Sequence, residues 1–397
     1  MKVRIAAAAI FLAFAAGTTT AQDQKQIDAA IDKGIAWLKT AGSPKKVDDP
    51  TMGSEELILW TFVKAGVSPR DGRFQELLKY LLEVPLERTY KVALQAMILE
   101  ELERVKHQGR IAQCAQFLVD NQCQNGQWSY GTPSVASAVP PTPTGGTDVA
   151  SGGGVRKFDT GEKREKPKVT RKLNVRPTRQ GPADGDNSNS QYAALGLRAC
   201  HDAGIVIPKG VFQLAKRGWE TAQHPEAKDA PDKRVASGAT GGSPRGWCYD
   251  KTGDHPAYGS MTAGAVGSLA IHDHLLGLDW KKDPALKDGL AWMGAHFSVT
   301  ENVGPCQHGS SPKVFYYYYL YALERTGMLL DMPQIGNRDW YAEGAKVLLA
   351  EQRADGVWNV GDKYMHHLPA WDTCYAILFL RRATRPLVAS EDAAKKP

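Results

Sequence analysis

The sequence has no apolar run long enough to cross a bilayer, and it has almost no β-strand patterns. Its longest apolar run, from Ile5 to Ala16, has about a dozen residues, whereas a membrane helix needs about 20. The short β-branched runs lie beside proline or in a low-complexity segment, which argues against a sheet. Hydrophobic residues still make up 42% of the 397 residues. The composition therefore favours a large globular core and an all-α fold.

The first 21 residues have the pattern of a secretory signal peptide. Lys2 and Arg4 precede the apolar run, and small residues ending at Ala21 follow it, as at a cleavage site. We expect residues 1–21 to be removed and the protein to be exported to the periplasm or the extracellular space. An uncleaved anchor is the alternative, but the run is short for that role.

Six cysteines accompany this export signal. Disulfides persist in oxidising compartments, but six thiols allow about 15 complete pairings, so the sequence does not assign them. Cys248 and Cys306 both precede helices in glycine-containing loops and form the first candidate pair. Cys200 and Cys374 lie in apolar helical stretches, where we expect them to pack as small hydrophobic residues.

A low-complexity, Pro- and Gly-rich segment at residues 132–183 carries the positive charge. The chain has a net charge of +6, and residues 156–179 alone contribute +7 through ten Lys or Arg against three acidic residues. With few apolar residues to bury, the segment should be disordered or loosely held. It is either a solvated loop or an attachment to an anionic surface such as lipid headgroups or acidic polysaccharide. We expect no nucleic-acid partner.

A two-helix unit recurs six times in residues 22–131 and 184–386. The first helices begin near Ile27, Phe74, Ile111, Val211, Ala285 and Tyr341, and the second near Ser54, Arg88, Asn189, Tyr258, Val314 and Ala370. The first helices carry an apolar face at i, i+3, i+4 and i+7, whereas the second are apolar almost all round. This asymmetry predicts two concentric layers, an α6/α6 toroid interrupted by the insert in its third repeat. Residues 387–397 form a flexible tail in this prediction.

A Gln-x-x-x-Gly-x-Trp pattern follows two of the first helices. The copies are Gln122, Gly126, Trp128 and Gln352, Gly356, Trp358, with Gln223, Gly246 and Trp247 as a degenerate third. The Gln can offer its amide to backbone groups, the Gly permits a tight turn, and the Trp ring packs over the junction. The pattern resembles the QW repeat of squalene and hopene cyclases over residues 25–385. This resemblance implies the α/α toroid of the terpenoid cyclase and protein prenyltransferase superfamily, which includes prenyltransferase and squalene oxidase repeat proteins.

The same resemblance shows where the chain departs from its catalytic relatives. Hopene-type cyclases protonate their substrate with an Asp-x-Asp-Asp-Thr-Ala cluster; here Asp372 matches the last Asp, and Trp371 stands in the proton donor's place. Prenyltransferase β-subunits bind zinc through Asp, Cys and His, and Asp372 holds the position of the His. The thioester signature Gly-Cys-Gly-Glu-Gln of complement proteins is also missing. We therefore expect neither a metal nor another cofactor.

In a toroid, the loops that lead into the inner helices gather at one mouth of the central cavity. The candidate catalytic residues there are Asp186, His367 and Asp372, and the candidate ligand-binding residues are Asn187, Tyr258, Tyr317, His366, Trp371 and Tyr375. Clustered acids and imidazoles can act as an acid/base pair, but the carboxylates can equally cap helix N-termini. The tyrosines of residues 316–321 either line a cavity or fill the space between layers.

Three functions remain compatible with the sequence. A noncatalytic scaffold that binds an isoprenoid or other lipid, a polysaccharide or a protein requires no missing motif, so we place it first. A divergent terpenoid cyclase-like enzyme and a carbohydrate-active lyase or glycosidase are the alternatives. The cavity discriminates between them: a deep apolar funnel favours isoprenoid chemistry, a wide acidic cleft favours sugar, and a centre plugged by side chains favours the scaffold.

Overall fold

The computed structural model describes most of the chain between residues 21 and 387. The described residues are 21–40, 54–138, 143–144, 166–225, 243–250, 255–305, 309, 311–360 and 368–387. Residues 1–20 of the predicted signal peptide and residues 388–397 of the predicted tail lie outside them.

The described residues are predominantly helical, which confirms the predicted all-α class. In chain order the helices are α1 (Ala21–Thr40), α2 (Ser54–Ala65), α3 (Gly72–Glu83), α4 (Thr89–Glu103), α5 (Gln108–Asp120), α6 (Val135–Ala138), α7 (Asn187–Asp202), α8 (Lys209–Ala222), α9 (Gly259–Leu276), α10 (Pro284–Ala295), α11 (Tyr316–Leu329), α12 (Trp340–Glu351) and α13 (Pro369–Leu380). A 3-10 turn spans Trp280–Lys282. Apart from the short α6, each helix corresponds to one predicted from the repeat.

Most of the first helices bury one face, although α5 is buried nearly all round. On α3 the buried residues Phe74, Leu77 and Leu81 are spaced by three and four positions, the period of a single helical face. The helix begins at a cap, because the Asp71 carboxylate accepts hydrogen bonds from the backbone N–H of Arg73 at 3.0 Å and of Phe74 at 3.2 Å. Two N–H groups that lack helical partners are thereby satisfied.

The second helix of each pair is buried nearly all round. Residues 259–273 of α9 and residues 370–380 of α13 are all buried. Glycine makes part of this packing possible: a Cβ on Gly264 would lie 2.5 Å from Oε1 of Gln191 on α7. The helices therefore approach each other more closely than larger residues would allow.

The second helices contact one another in chain order. α2 packs against α4, α4 against α7, α7 against α9, α9 against α11, α11 against α13, and α13 against α2. Each first helix packs on one or two of them; α8 and α10 both pack on α9, for example, and α1 packs on α13 and α2. The series of contacts that starts at α2 thus returns to α2.

The Gln-x-x-x-Gly-x-Trp segments join the end of one first helix to the beginning of another. Each Gln donates an amide N–H to a backbone carbonyl: Gln122 to Val211, Gln223 to Ala285 and Gln352 to Ala30, at 2.8, 2.9 and 2.8 Å. Each Trp is buried and donates its indole N–H back to its own helix: Trp128 to Leu118, Trp247 to Trp219 and Trp358 to Leu348, at 2.7, 2.8 and 2.8 Å. These hydrogen bonds tie α5 to α8, α8 to α10, and α12 to α1.

Glycine is required at the middle position of the two full copies. Gly126 and Gly356 both have a φ of 92°, in the left-handed region that other residues rarely adopt. A Cβ on Gly126 would lie 2.2 Å from the carbonyl oxygen of Leu214, and one on Gly356 would lie 2.6 Å from that of Lys33. The turn and the neighbouring first helix are therefore in direct backbone contact.

Part of the predicted insert is held against the helices. Strand β2 (Lys172–Asn174) pairs antiparallel with β1 (Pro143–Thr144) and parallel with β3 (Ile205–Val206). Leu173 and Val175 are buried, and Thr178 donates its backbone N–H to the Asp120 carboxylate at 2.8 Å. Residues 166–183 are thus held more firmly than the loose segment that we predicted. The burial of two alternating apolar side chains and the hydrogen bond to the buried acid at the end of α5 help to hold them against the helices.

The described cysteines are buried in the helical core. Cys114, Cys123, Cys200 and Cys374 have free thiols, in agreement with the packing role expected for Cys200 and Cys374. Burial raises the pKa of the Cys374 thiol to about 12. Cys306, the predicted partner of Cys248, lies outside the described residues.

Replacing Gly356 by alanine should destabilise the protein. The left-handed backbone and the contact with the Lys33 carbonyl together should cost at least about 2 kcal/mol in the free energy of unfolding, measured by urea denaturation. Gly109→Ala is the matched control, because a Cβ there meets nothing within 4 Å and should be neutral or gain about 0.5 kcal/mol. Equal stability of the two variants would contradict this account of the motif.

Candidate functional site

Three hydroxyl groups meet where α4, α7 and α11 begin. The Tyr90 hydroxyl hydrogen-bonds to the Ser188 hydroxyl and lies 3.0 Å from the Tyr318 hydroxyl, which in turn lies 3.0 Å from that of Ser188. Each group can donate one bond and accept another, so the triangle satisfies itself. Ser188 is only half-buried and brings the triangle to the surface. The first turns of these three helices therefore lie at the same end of the helix assembly.

Tyrosine rings fill the space below this triangle. Tyr192 lies 4.3 Å from Tyr90 and is stacked 6.2 Å from Tyr318, and Tyr321 stacks 5.8 Å from Tyr375, measured between ring centroids. All five rings are buried, and burial raises the pKa of every hydroxyl above its ordinary value. Neutral phenols of this kind pack and hydrogen-bond, but they are poor bases at physiological pH. Tyr375, a predicted ligand-binding residue, thus lies in the packed centre.

Asp186 serves as the N-cap of α7. Its carboxylate accepts hydrogen bonds from the backbone N–H of Asn189 at 2.7 Å and from the Asn189 side-chain amide at 2.8 Å. Burial raises the pKa of Asp186 to about 6, although the hydrogen bonds from Asn189 act to lower it. The half-buried Tyr249 lies beside it, with its hydroxyl 3.2 Å from that of Tyr130, which is 40% exposed. Capping accounts for the geometry of Asp186, while its pKa and its two tyrosine neighbours keep it a candidate acid.

Asn187 and Tyr258 are inaccessible to a ligand. Asn187 is fully buried, donates its amide to the carbonyl of Cys248 at 2.9 Å and accepts from Gln127 at 2.8 Å. Tyr258 is 1% exposed and occupies the N-cap position of α9. Both predicted ligand-binding residues join loops to helix starts instead.

Trp371, Asp372 and Tyr317 lie at or near the beginning of α13. Trp371 and Asp372 are buried in its first turn. Tyr317, also buried, donates its hydroxyl to the Glu351 carboxylate at 3.4 Å. Burial raises the pKa of Tyr317, and the nearby charges of Glu351 and Asp372 raise it further. His366 and His367 lie outside the described residues, so no geometry relates them to Asp372.

Sequence reasoning missed the ionisable groups inside the second helices. Glu56 is fully buried, and neither of its carboxylate oxygens has a hydrogen-bond partner among the described residues. Burial raises its pKa to about 7, partly opposed by Lys91. Lys64, Glu324 and Arg325 are likewise buried. The sequence does contain a sign of these buried groups, because each is a charged residue within an otherwise apolar helix, as in SEELILWTFVKA and YYYYLYALER.

A second polar region lies near the other ends of α2, α4 and α7. Lys64, Glu101, Arg198 and Arg385 help to line a cavity of about 60 Å³ there. Glu101 accepts a hydrogen bond from Arg385 and lies 3.9 Å from the Lys64 amino group. Burial acts to raise the pKa of Glu101, but the surrounding cations outweigh it and hold that pKa well below its usual range. Glu100 and Asp202 also line the cavity, so three carboxylates face three cations, and the cavity has room for only a few water molecules.

Metal and membrane sites were sought across the described ranges. No three His, Cys, Asp or Glu side chains among those residues come together as a metal-binding group. Over the same ranges, no helix combines the length and apolarity needed to cross a membrane.

Comparison with protein-family models found no match. The curated proteins likewise contained no matching relative. Any function must therefore be argued from the geometry of the sites.

Replacing Glu56 by glutamine should remove a pH-dependent loss of stability. Because the folded-state pKa is raised from 4.5 to about 7, ionisation opposes folding; stability is greatest below the unfolded pKa and falls as pH rises through 7. Glu56→Gln should exceed the wild type in free energy of unfolding by at most about 3 kcal/mol near pH 8, and by little near pH 4.5. Denaturant titrations at both pH values measure this difference.

Glu55→Gln makes the same change at the preceding, less buried residue and is the control. A stability gain for Glu56→Gln that is equal at both pH values would contradict the assignment of the titration to Glu56.

Proposed function

We propose that this chain is an exported α/α-toroid protein, related in architecture to the squalene cyclase and prenyltransferase superfamily, that acts as a binding scaffold. The toroid is supported by the series of contacts from α2 through α4, α7, α9, α11 and α13 back to α2. It is further supported by the hydrogen bond from Gln352 to Ala30, which ties α12, the first helix of the sixth pair, to α1, the first helix of the first pair. Export rests on the signal-peptide pattern of residues 1–21.

The observation that carries the scaffold proposal is the filled centre. Tyr90, Tyr192, Tyr318, Tyr321 and Tyr375 are each at most 6% exposed. The cavity beside them, between α7, α9 and α11, measures about 10 Å³, whereas small-molecule sites typically have about 300–1,000 Å³. Between these described side chains an isoprenoid chain has no room. A ligand or partner would therefore bind on the surface.

A surface that runs along α5 has the charge for a specific class of partner. Lys168, Lys172 and Arg176 are exposed at intervals of four residues, while Leu173 and Val175 between them are buried. In an extended chain such intervals correspond to about 13 Å. We call these three side chains the basic row. A row one residue wide fits a linear polyanion better than a flat bilayer, so the proposed partner is an acidic polysaccharide.

The basic row should bind dextran sulfate in a salt-dependent manner. Replacing all three residues by glutamine should weaken binding at low salt by roughly tenfold or more, because each lost cation removes up to about 1 kcal/mol of attraction. Binding is measured by salt elution from a dextran sulfate resin and by titration in solution. Binding to vesicles of anionic lipid is measured in parallel. If the protein binds the vesicles more tightly than dextran sulfate, the partner is a membrane surface and not a polysaccharide.

A matched control removes three exposed lysines from the first helices, Lys25, Lys79 and Lys346, by the same change to glutamine. If both triple variants bind dextran sulfate equally weakly, binding depends on the net charge of the protein and not on the basic row. Failure of the unmodified protein to bind either polyanion would refute the basic row as a binding surface.

A carbohydrate-active enzyme is the second candidate, favoured by one observation. Asp186 has a pKa raised to about 6 and lies beside Tyr249, near the exposed Tyr130. An acid and aromatic side chains of this kind suit a sugar ring. The completed α7 cap and the neutral tyrosines weigh against it.

Incubation with squalene and with acidic polysaccharides tests for enzyme activity. We expect no product by mass spectrometry, since the centre is filled and Asp186 is engaged in capping. Squalene turnover lost in Trp371→Ala and Asp372→Ala would establish cyclase chemistry instead. Polysaccharide cleavage lost in Asp186→Asn, which preserves the cap, would establish the carbohydrate enzyme.

A further inference from the structure

Arg325 is a buried cation without a carboxylate partner among the described residues. It lies on α11 and is 3% exposed. Its Nη2 donates to Oε1 of Gln191, but within the described part of the chain its Nη1 has no hydrogen-bond partner. A guanidinium stays ionised at physiological pH, and burying an unpaired ion costs several kcal/mol. Such a charge needs a counter-charge or a strong acceptor.

The groups around Arg325 supply only part of that compensation. Its Cζ lies 4.4 Å from the ring centroid of Tyr321 and 5.4 Å from that of Tyr192. Cation–π contacts of this kind stabilise a desolvated guanidinium, but they supply no counter-charge. The adjacent Glu324 is engaged elsewhere, because its carboxylate accepts from the backbone N–H and the hydroxyl of Thr384, both at 2.8 Å. The Arg325 charge is therefore surrounded by aromatic and amide groups.

A small cavity adjoins this charge. Arg325 and Gln191 line it together with Gly264, Ser268 and apolar side chains, and its volume is about 10 Å³. That volume is the space open to the centre of a water-sized sphere, so the cavity holds one monatomic ion or one water molecule. Oε1 of Gln191 accepts from Arg325, and within the described residues its amide Nε2 has no hydrogen-bond partner. Two residues that each carry a donor without an acceptor in this part of the chain, one of them cationic, thus line the same cavity.

We propose that a small monovalent anion, chloride in the first instance, binds in this cavity between Nη1 of Arg325 and Nε2 of Gln191. An anion accepts from both donors and neutralises the guanidinium, whereas a water molecule supplies acceptors but no charge. Sulfate, phosphate and carboxylate ligands are too large for the cavity. The site is independent of the basic row and of any surface partner.

The first test compares the thermal stability of the protein in sodium chloride, sodium bromide and sodium gluconate at constant ionic strength. An anion that binds the folded state alone raises the Tm with its concentration. We expect a Tm that rises by several degrees and saturates in chloride and in bromide, with no rise in gluconate. A Tm that is the same in all three salts overturns the proposal.

Variants assign the effect to the cavity. Arg325→Met removes the charge and should abolish the halide dependence of the Tm, whereas Arg338→Met, the same change at an exposed position, should retain it. Gly264→Ala should weaken the dependence with Arg325 intact, because its Cβ would meet the Gln191 amide at 2.5 to 2.8 Å. A halide effect that survives in Arg325→Met overturns the proposal.

The unmodified protein provides a direct test that does not depend on the folding of any variant. Crystals soaked in sodium bromide should show an anomalous peak within hydrogen-bond distance of Nη1 of Arg325 and Nε2 of Gln191. Density without anomalous signal at that position would identify a water molecule and overturn the assignment.

Discussion

Six of the described helices, α2, α4, α7, α9, α11 and α13, are buried on nearly every side, and most of them are apolar on nearly every side as well. A helix with one solvent-exposed polar face can lie at the edge of an assembly. The helices α9 and α13 cannot, because they have no such face. Their burial requires neighbours on all sides, which the contacts from α2 round to α13 and the packing of the first helices provide. The Gln, Gly and Trp of the repeated motif serve the same requirement, because they hold successive first helices edge to edge.

This constraint also determines what the centre can contain. Side chains that meet there must satisfy their own polar groups, and the hydroxyl triangle of Tyr90, Ser188 and Tyr318 does so with three groups from three helices. The tyrosine rings occupy the volume that a ligand would need. For that reason we propose that this protein binds its partner on its surface.

The helices were predictable from the sequence because their periodicity is local information. The Gln and Trp roles were predictable too, since each group has few possible partners at a helix end. The site was not. Asn187 and Tyr258 were correctly expected beside helix starts, but a sequence does not reveal that Gln127 and Cys248 cover the Asn187 amide. The order of residues 166–183 was likewise hidden, because it depends on β3 and Asp120 at distant positions in the chain.

The hydrogen bond from Gln352 to Ala30 spans 322 residues, and that from Trp60 to Tyr321 spans 261. The earliest helices therefore acquire their final neighbours only after the last repeat has been synthesised. Contacts so distant in sequence carry a large loop-closure entropy and slow the folding of a chain whose helices form quickly by themselves. In the export that we propose, a nascent polypeptide that stays open until its final repeat emerges would still be unfolded enough to pass through a secretory channel.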